Sequence, residues 1–454
     1  MAMGKRRDVE QPLFITVADL MQSPAHPFYL ALNRLLDEHG FDHFVQQLCE
    51  KFYHQTLGRP SLAPGTYFRS LLVGYFEGID SERGIAWRVA DSLSLRSFLS
   101  IPLDENPPDH STISRTRRLI DVETHLEVFM FVLKLLAGNN LIDGQTIGID
   151  ATTLEANAAL RSIVRRDSGE SYQQFLTKIA QASGIETPTR EDLAKLDRHR
   201  KNKGSNDDWQ HPHDPDAKIT KMKDGSTHLA HKAEHAVDMK SGAIVGVTLQ
   251  GADRGDTTTI IQTIVEATNN LRELSDDPKT EKKIDEKWMS EVVADKGYHS
   301  NQTLLDLDTM NLRSYISEPD RGRRNWKNKG DEQRAVYANR RRCRGDCGRQ
   351  LMRSRGELLE RSFAHTYETG AMRRTHLRHH DNIRKRLLVH IAGFNLGLVM
   401  RQRHGVGKPR GLQGLCLSIW AWIRMLLEVL GLHHRDPDRS EPKFVLERSQ
   451  SLTA

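Results

Sequence analysis

The sequence predicts a mixed α/β sheet with helices on its faces, preceded by an all-α region. Three observations carry that expectation. Residues from about 10 to 120 place apolar side chains at helical spacing, whereas strand patterning begins only near residue 141. Beyond that point short strands alternate with helices. Their order is strand, hairpin of two strands, helix, strand, helix, strand, helix.

In the first region, residues 27–53 carry Leu30, Leu32, Leu35, Phe41, Phe44, Val45 and Leu48 at helical intervals, and Pro60 and Pro64 end the run. Residues 66–76 (TYFRSLLVGYF) form a short apolar helix. Asp80 and Ser81 cap a further helix over 82–91, which carries Trp87 and Val89. Pro107, Pro108 and Asp109 break the chain before a helix over 110–120 that bears Arg115, Arg117 and Arg118. Short helices with a basic last member match a helix-turn-helix arrangement, which would set that helix in a DNA groove. Three-helix clusters that bind nothing have the same pattern.

Residues 145–150 (QTIGID) are expected as the first strand, with Asp150 at its end. Residues 163–223 read as a polar, charged insertion without a clear strand, with a mobile loop over 197–215. Strands over 228–238 and 243–250 flank Lys240, Ser241 and Gly242 as a hairpin. Asp256 is expected to cap a helix over 257–271. A strand over 291–295, a helix over 301–310 and a strand over 312–317 follow. A helix over about 356–367 holds Glu360, and an amphipathic helix over about 382–400 closes the series. This connectivity is that of an RNase H-like mixed sheet. It divides the chain into a helical region (1–125), a sheet region (140–405) and a C-terminal helix with a loose tail (406–454).

The chain has 454 residues, 37% hydrophobic and 28% charged, which suits a globular protein with an ion-rich surface. Its net charge is +6, but residues 321–410 hold 24 Lys/Arg against 7 Asp/Glu, a local +17 that leaves −11 for the rest. That asymmetry points to a polyanionic partner. Within it, the basic segment 321–355 is suited to lie along a phosphate backbone, where binding weakens with salt. Trp326 and Tyr337 are interleaved aromatics, either stacking platforms for an unpaired base or surface anchors. The four cysteines form no disulfide framework and suit a reducing compartment, and Cys343 and Cys347 lack a second ligand pair at zinc-finger distance. Residues 1–10 lack the apolar core of a signal peptide. Residues 412–432 approach the length of a membrane span, but Arg424 and Glu428 inside the run favour a buried helix. No membrane partner is expected.

Three acids occupy telling positions. In the expected topology the first and fourth strands are neighbours, so Asp150 and Asp295 meet at their C-terminal ends, where α/β sheets gather ligands. Glu360, on the late helix, would close the cluster, with Glu357 one turn earlier as a rival. Each acid alone reads as a cap, a turn or a solvated charge. Together they suit two Mg²⁺ (or Mn²⁺) ions, hard cations that take oxygen ligands and support in-line displacement at phosphorus.

The same residues carry a family likeness that spans nearly the whole chain. Gly148-Ile149-Asp150-Ala151-Thr152 with Glu155-Ala156-Asn157-Ala158, then Ala294-Asp295-Lys296-Gly297-Tyr298, then Glu360-Arg361-Ser362-Phe363-Ala364-His365 with Arg373, Arg374 and Asn382, resemble the motifs of the DDE transposases of bacterial insertion sequences. Phe394-Asn395-Leu396 and the N-terminal run from Phe28 through Pro108-Asp109-His110-Ser111-Thr112-Ile113-Ser114-Arg115 fit as well. The resemblance implies metal-dependent hydrolysis at element ends, followed by attack of the freed 3′-hydroxyls on target DNA. It implies Asp150, Asp295 and Glu360 as catalytic metal ligands and double-stranded DNA as partner. It further implies a dimer or higher oligomer on DNA, acting at the nucleoid in the bacterial cytoplasm. Some relatives carry Tyr, Arg and Lys at set distances around the Glu. Here the positions four before and seven after Glu360 are Gly356 and Tyr367, while Glu357 would have Arg353 and Ala364. The phosphate clamp therefore falls to Arg361, Arg373 or Arg374. Lys296, Arg323, Arg324, Arg341 and Arg342 complete the candidate DNA contacts. A nuclease that cuts without joining would use the same acids. A catalytically inactive DNA-binding regulator would not need them.

Overall fold

The structure is a computed structural model that describes residues 26–54, 61–200, 203–222, 225–322, 324–413 and Leu426. It is mixed α/β, with a helical N-terminal region and one main mixed sheet. The helical region comprises α1 (Pro27–Glu38), α2 (Phe41–Cys49), α3 (Pro64–Glu77), α4 (Glu82–Ala90), α5 (Leu93–Phe98), α6 (His110–Leu119) and α7 (Val122–Gly138). Local chemistry sets their starts. Pro27 and Pro64 occupy first turns, where a missing N–H costs nothing. Ser81, Ser92, Asp109 and Asp121 each accept a hydrogen bond from a backbone N–H three residues on. Gly78 closes α3 with φ 68°, a conformation that favours glycine.

Helix α7 is an element the sequence reading leaves unassigned, and it is central. It is apolar on nearly every side, burying Val128, Phe129, Met130, Val132, Leu133, Leu135 and Leu136. Its neighbour is α14 (His380–His404), buried almost continuously from Ile383 to Met400. A helix apolar all round belongs inside a protein. Around these two, a single hydrophobic cluster runs from Phe28 to Val406 and joins the helical region to the sheet.

The sheet is built from β1 (Thr146–Glu155), β4 (Lys218–Lys221), β5 (Thr227–Asp238), β6 (Ile244–Gly251), β7 (Glu291–Ala294) and β8 (Arg313–Ile316). The small strands β2 (Val164–Arg165) and β3 (Trp209–Gln210) pair separately. β5 lies antiparallel to β1 on one edge, and its other edge is shared end to end by β4 and β6. β7 runs parallel to β1, and β8 parallel to β7. Between them come α10 (Asp256–Asp276) and α11 (Asn301–Thr309); α12 (Gly330–Arg344) and α13 (Asp346–Phe363) follow β8.

Several expectations need correction. β1 continues to Glu155, so Asp150 lies in mid-strand rather than at its end. Its parallel partner β7 stops one residue before Asp295. Asp256 is the first helical residue of α10, and Gly255 is the cap. The insertion is ordered: α8 (Tyr172–Ala182) and α9 (Arg190–His199) begin with capping boxes, Ser171 with Gln174 and Thr189 with Asp192. Trp209 is 1% exposed within a satellite core of Ala156, Ile163, Ala217, Ile219 and Leu229, so most of the expected mobile loop is anchored. Most of the basic stretch lies in α12 and α13. Of the 412–432 run, Leu412, Gln413 and Leu426 are described, and the rest lies outside the described residues, as does Arg323. Among the described residues no helix is long and apolar enough to cross a membrane.

Candidate acidic site

Strand register brings two acids together. The parallel pairing of β1 with β7 ends at Ile149 opposite Ala294, so the next residues, Asp150 and Asp295, are adjacent. Burial holds the Asp150 carboxyl above its ordinary value; the Arg355 guanidinium pulls it back, and the neighbouring Asp295 charge pushes it up again. Arg355, on α13, donates to Asp150 Oδ2 at 2.9 Å, and both side chains are largely covered. Asp295 accepts from the Gly297 N–H at 2.7 Å, which fixes the turn after β7.

The face of the sheet beneath α13 is polar and tightly bonded. Cross-strand partners point to the same side of a sheet, and Asp150 is paired with His235 of β5. The fully buried His235 ring bonds Ser362 Oγ at 3.1 Å and Tyr367 Oη at 2.6 Å. Burial lowers this imidazole to about 3, so it is neutral. Tyr367 lies in a π-helical turn, Ala364–Glu368, that continues α13. Such turns mark local re-aiming of a helix.

On the opposite face, Glu234 is fully buried. It accepts from Thr263, from Thr259 Oγ1 at 3.0 Å and from Tyr298 Oη at 2.8 Å, with Lys232 Nζ at 3.6 Å. Burial raises its pKa against those hydrogen bonds. Lys232 also donates to Asp256 at 2.6 Å. A Cβ on Gly297 would fall 2.6 Å from Asp256 Oδ2 and 3.0 Å from Asp295 Oδ1, so these two carboxylates flank the glycine. Asp256 and Arg355 are thus parts of the site that sequence reasoning did not assign to it. The Asp-Lys-Gly-Tyr run after β7 was the available signal for a close approach at Gly297.

Glu360 is exposed on α13 and its side chain, among the described residues, makes no hydrogen bond or ion pair. It follows buried Leu359, whose Cδ1 would stand 3.0 Å from a Cβ on Gly148. Glu357 is 70% exposed and pairs with Arg361 at 2.5 Å. At about 100° per residue, Glu357 lies roughly opposite Leu359 on the helix and Glu360 at its flank.

The cationic candidates divide by what they already hold. Arg117 turns inward, 6% exposed, and pairs with Glu82 and Asn382, so it acts as an internal strut. Arg324 pairs with Glu318 at 2.7 Å and lies over Trp326; Arg342 donates to Ser314. Trp326 in turn packs against Tyr337 and the main core. Arg361 holds Glu357, and Arg373 holds Glu368 and Thr152. Arg374 stands 3.6 Å from Glu155 and is 59% exposed. Arg115, Arg118, Lys296 and Arg341 are exposed and, among the described residues, pair with no acid. Cys343 packs under Ile316, and its thiol donates to that carbonyl.

A second polar group lies elsewhere: ligand atoms of Asp214, Asp216 and His379 gather within 4.8 Å of one another.

Residues 17–119, up to the end of α6, match the family model described as "Transposase domain (DUF772)". The helical region therefore carries a transposase domain, which supports a transposase of insertion-sequence type. No curated protein and no solved structure matches the chain.

Proposed function

We propose that this chain is a DDE transposase that cuts DNA at the ends of an insertion sequence and joins the freed 3′ ends to target DNA. The observation that carries the reading is the β1–β7 register, which sets Asp150 beside Asp295. The strand connectivity, antiparallel β1, β5 and β6 followed by parallel β7 and β8, with β4 added beside β5 from the insertion, agrees with an RNase H-like sheet. The transposase domain at residues 17–119 supports the same class.

Asp150 and Asp295 offer oxygen donors to Mg²⁺ or Mn²⁺, and Glu360 is the unpaired acid on α13 that completes the set. Its orientation favours it over Glu357, which Arg361 occupies. The residues fit hard cations: two adjacent carboxylates, one of them desolvated, repel each other until a cation arrives. When bound, two such ions supply the Lewis acidity that in-line displacement at phosphorus needs. The chain itself positions the reactants. Arg355 opposes the burial that raises the Asp150 carboxyl and aims it, and the Glu234–Lys232–Tyr298 network holds β5 and the turn after β7 rigid beneath the pair. Arg115, Arg118, Lys296, Arg341 and Arg374 are the exposed cations suited to phosphate contact. Pairing two element ends calls for a dimer or larger assembly on DNA, in the bacterial cytoplasm at the nucleoid.

The test is cleavage and joining of a labelled element-end oligonucleotide in Mg²⁺, comparing wild type with Asp150→Asn, Asp295→Asn and Glu360→Gln. Each substitution is expected to abolish both steps while DNA binding persists. Cleavage without joining by the wild type would identify a nuclease. Binding without either step would identify a regulator.

A further inference from the structure

Arg386 of α14 is 5% exposed and, among the described residues, forms no ion pair with an acid. Its Nε donates to His390 Nδ1 at 3.2 Å, and its Nη2 to the Ile79 carbonyl, just past α3, at 2.9 Å. Both acceptors are neutral. Burial holds the His390 imidazole well below its ordinary value, and its Nε2–H donates to the Gly370 carbonyl at 2.9 Å. Burial also pulls the Arg386 guanidinium down to about 10, which leaves it charged at neutral pH. A buried cation without a counter-charge is costly, and the C-terminal end of α3 supplies only a partial negative charge.

Arg386 lines a cavity of about 360 Å³ enclosed by the starts of α4 and α6, by α14 and by the segment 371–377. Ser81, Glu82 and Arg83 line it from the start of α4, and His110 from the start of α6. Helix N-termini turn backbone N–H groups and partial positive charge toward such a space, which favours anions. Arg83 is exposed and, among the described residues, pairs with no acid. Arg374 stands 3.6 Å from Glu155 and is 59% exposed. The two acids of the lining are already engaged, Glu82 by Arg117 and Asp80 by His376 at 3.0 Å.

We infer that this cavity binds a phosphate group, with Arg386 as the buried anchor and Arg83 and Arg374 at the mouth. A planar guanidinium with a free Nη1 suits phosphate oxygens. The anion site stands on the cavity alone. That the phosphate belongs to the backbone of bound DNA rests on the transposase reading above. Arg374 bridges to Glu155, five residues beyond Asp150 on β1 and about 16 Å along the strand. At about 3.4 Å per base step, the phosphate held there is roughly five steps from the acid pair.

The test uses the full-length purified chain in EDTA, titrated with inorganic phosphate at constant ionic strength set with chloride, with thermal unfolding as readout. Phosphate is expected to raise the unfolding midpoint of the wild type beyond chloride, and Arg386→Met to weaken phosphate binding at least tenfold. Should that variant fail to fold, Arg83→Ala combined with Arg374→Ala decides, since both side chains are exposed; at least a fivefold weakening is expected. An unshifted midpoint in the wild type, or equal shifts in the variants, overturns the inference. A second arm measures binding of an element-end duplex against salt, again in EDTA. Arg386→Met is expected to lower the slope of log affinity on log salt by about one. An unchanged slope with phosphate binding lost overturns the DNA assignment and gives the site to a free phosphate compound. A wild type that binds phosphate but no duplex refutes the transposase reading and leaves the anion site standing.

Discussion

Replacing Arg355 by Gln removes the cation that holds Asp150 and keeps much of the side chain's length. The guanidinium and carboxylate are 14% and 25% exposed and 2.9 Å apart. With charge centres about 4 Å apart, the gross attraction is about 4 kcal/mol at an effective dielectric near 20. Desolvation of both partners removes much of it, leaving on the order of 1–2 kcal/mol net. The variant should lose that amount of unfolding free energy in EDTA, measured by chemical denaturation. The same interaction must be given up when a divalent ion takes Asp150. Mg²⁺ binding, measured by titration calorimetry, should therefore tighten about 5- to 30-fold in the variant. Unchanged stability together with unchanged Mg²⁺ affinity would refute the coupling of Arg355 to Asp150 and remove its proposed positioning role.

Three further outcomes are expected. Glu234→Ala strands Lys232, Tyr298 and two threonines around a buried gap; it should cost about 3–5 kcal/mol in denaturant unfolding, and a loss under 1 kcal/mol would contradict the network. Gly393→Ala places a Cβ 2.6 Å from the ring of buried Tyr75, where α14 crosses α3, and should destabilise by about 1–3 kcal/mol. For pH, His125 and His235 are buried and burial lowers both to about 3, so the unfolded state binds their protons first. Their stabilising effect is complete above the unfolded value of about 6.5 and falls as pH drops toward 3; between pH 7 and 5 each should cost about 2 kcal/mol. The loss should be smaller in His125→Gln, and an identical pH slope in that variant would exclude the assignment.

How much of this was legible depended on whether a signal was local. The caps at Ser81 and Asp109, the 228–250 hairpin and the end of β7 before Asp295 are readable because apolar spacing and turn residues coincide there. Helix α7 carries no distinguishing signal because residues 126–137 are mostly apolar without a period, a pattern that helix and buried strand share. The insertion looked disordered because its charges are local and its core rests on widely spaced residues, Ile163, Trp209 and Leu229. The charge count in residues 321–410 overstated the free cations. Arg324, Arg342, Arg355, Arg361 and Arg384 are each bound to other protein groups, which composition does not reveal. The pairing of Asp150 with Asp295 was inferable from topology, whereas Arg355 as Asp150's partner required three-dimensional register.

The burial of α14 has a consequence for inheritance. Because the last described long helix completes the contact surfaces of α3 and α7, a reading frame interrupted before His404 would yield a fragment with those faces bare. The helical N-terminal region should not survive by itself as a stable truncated product. An internal stop codon would then remove both parts of the protein at once.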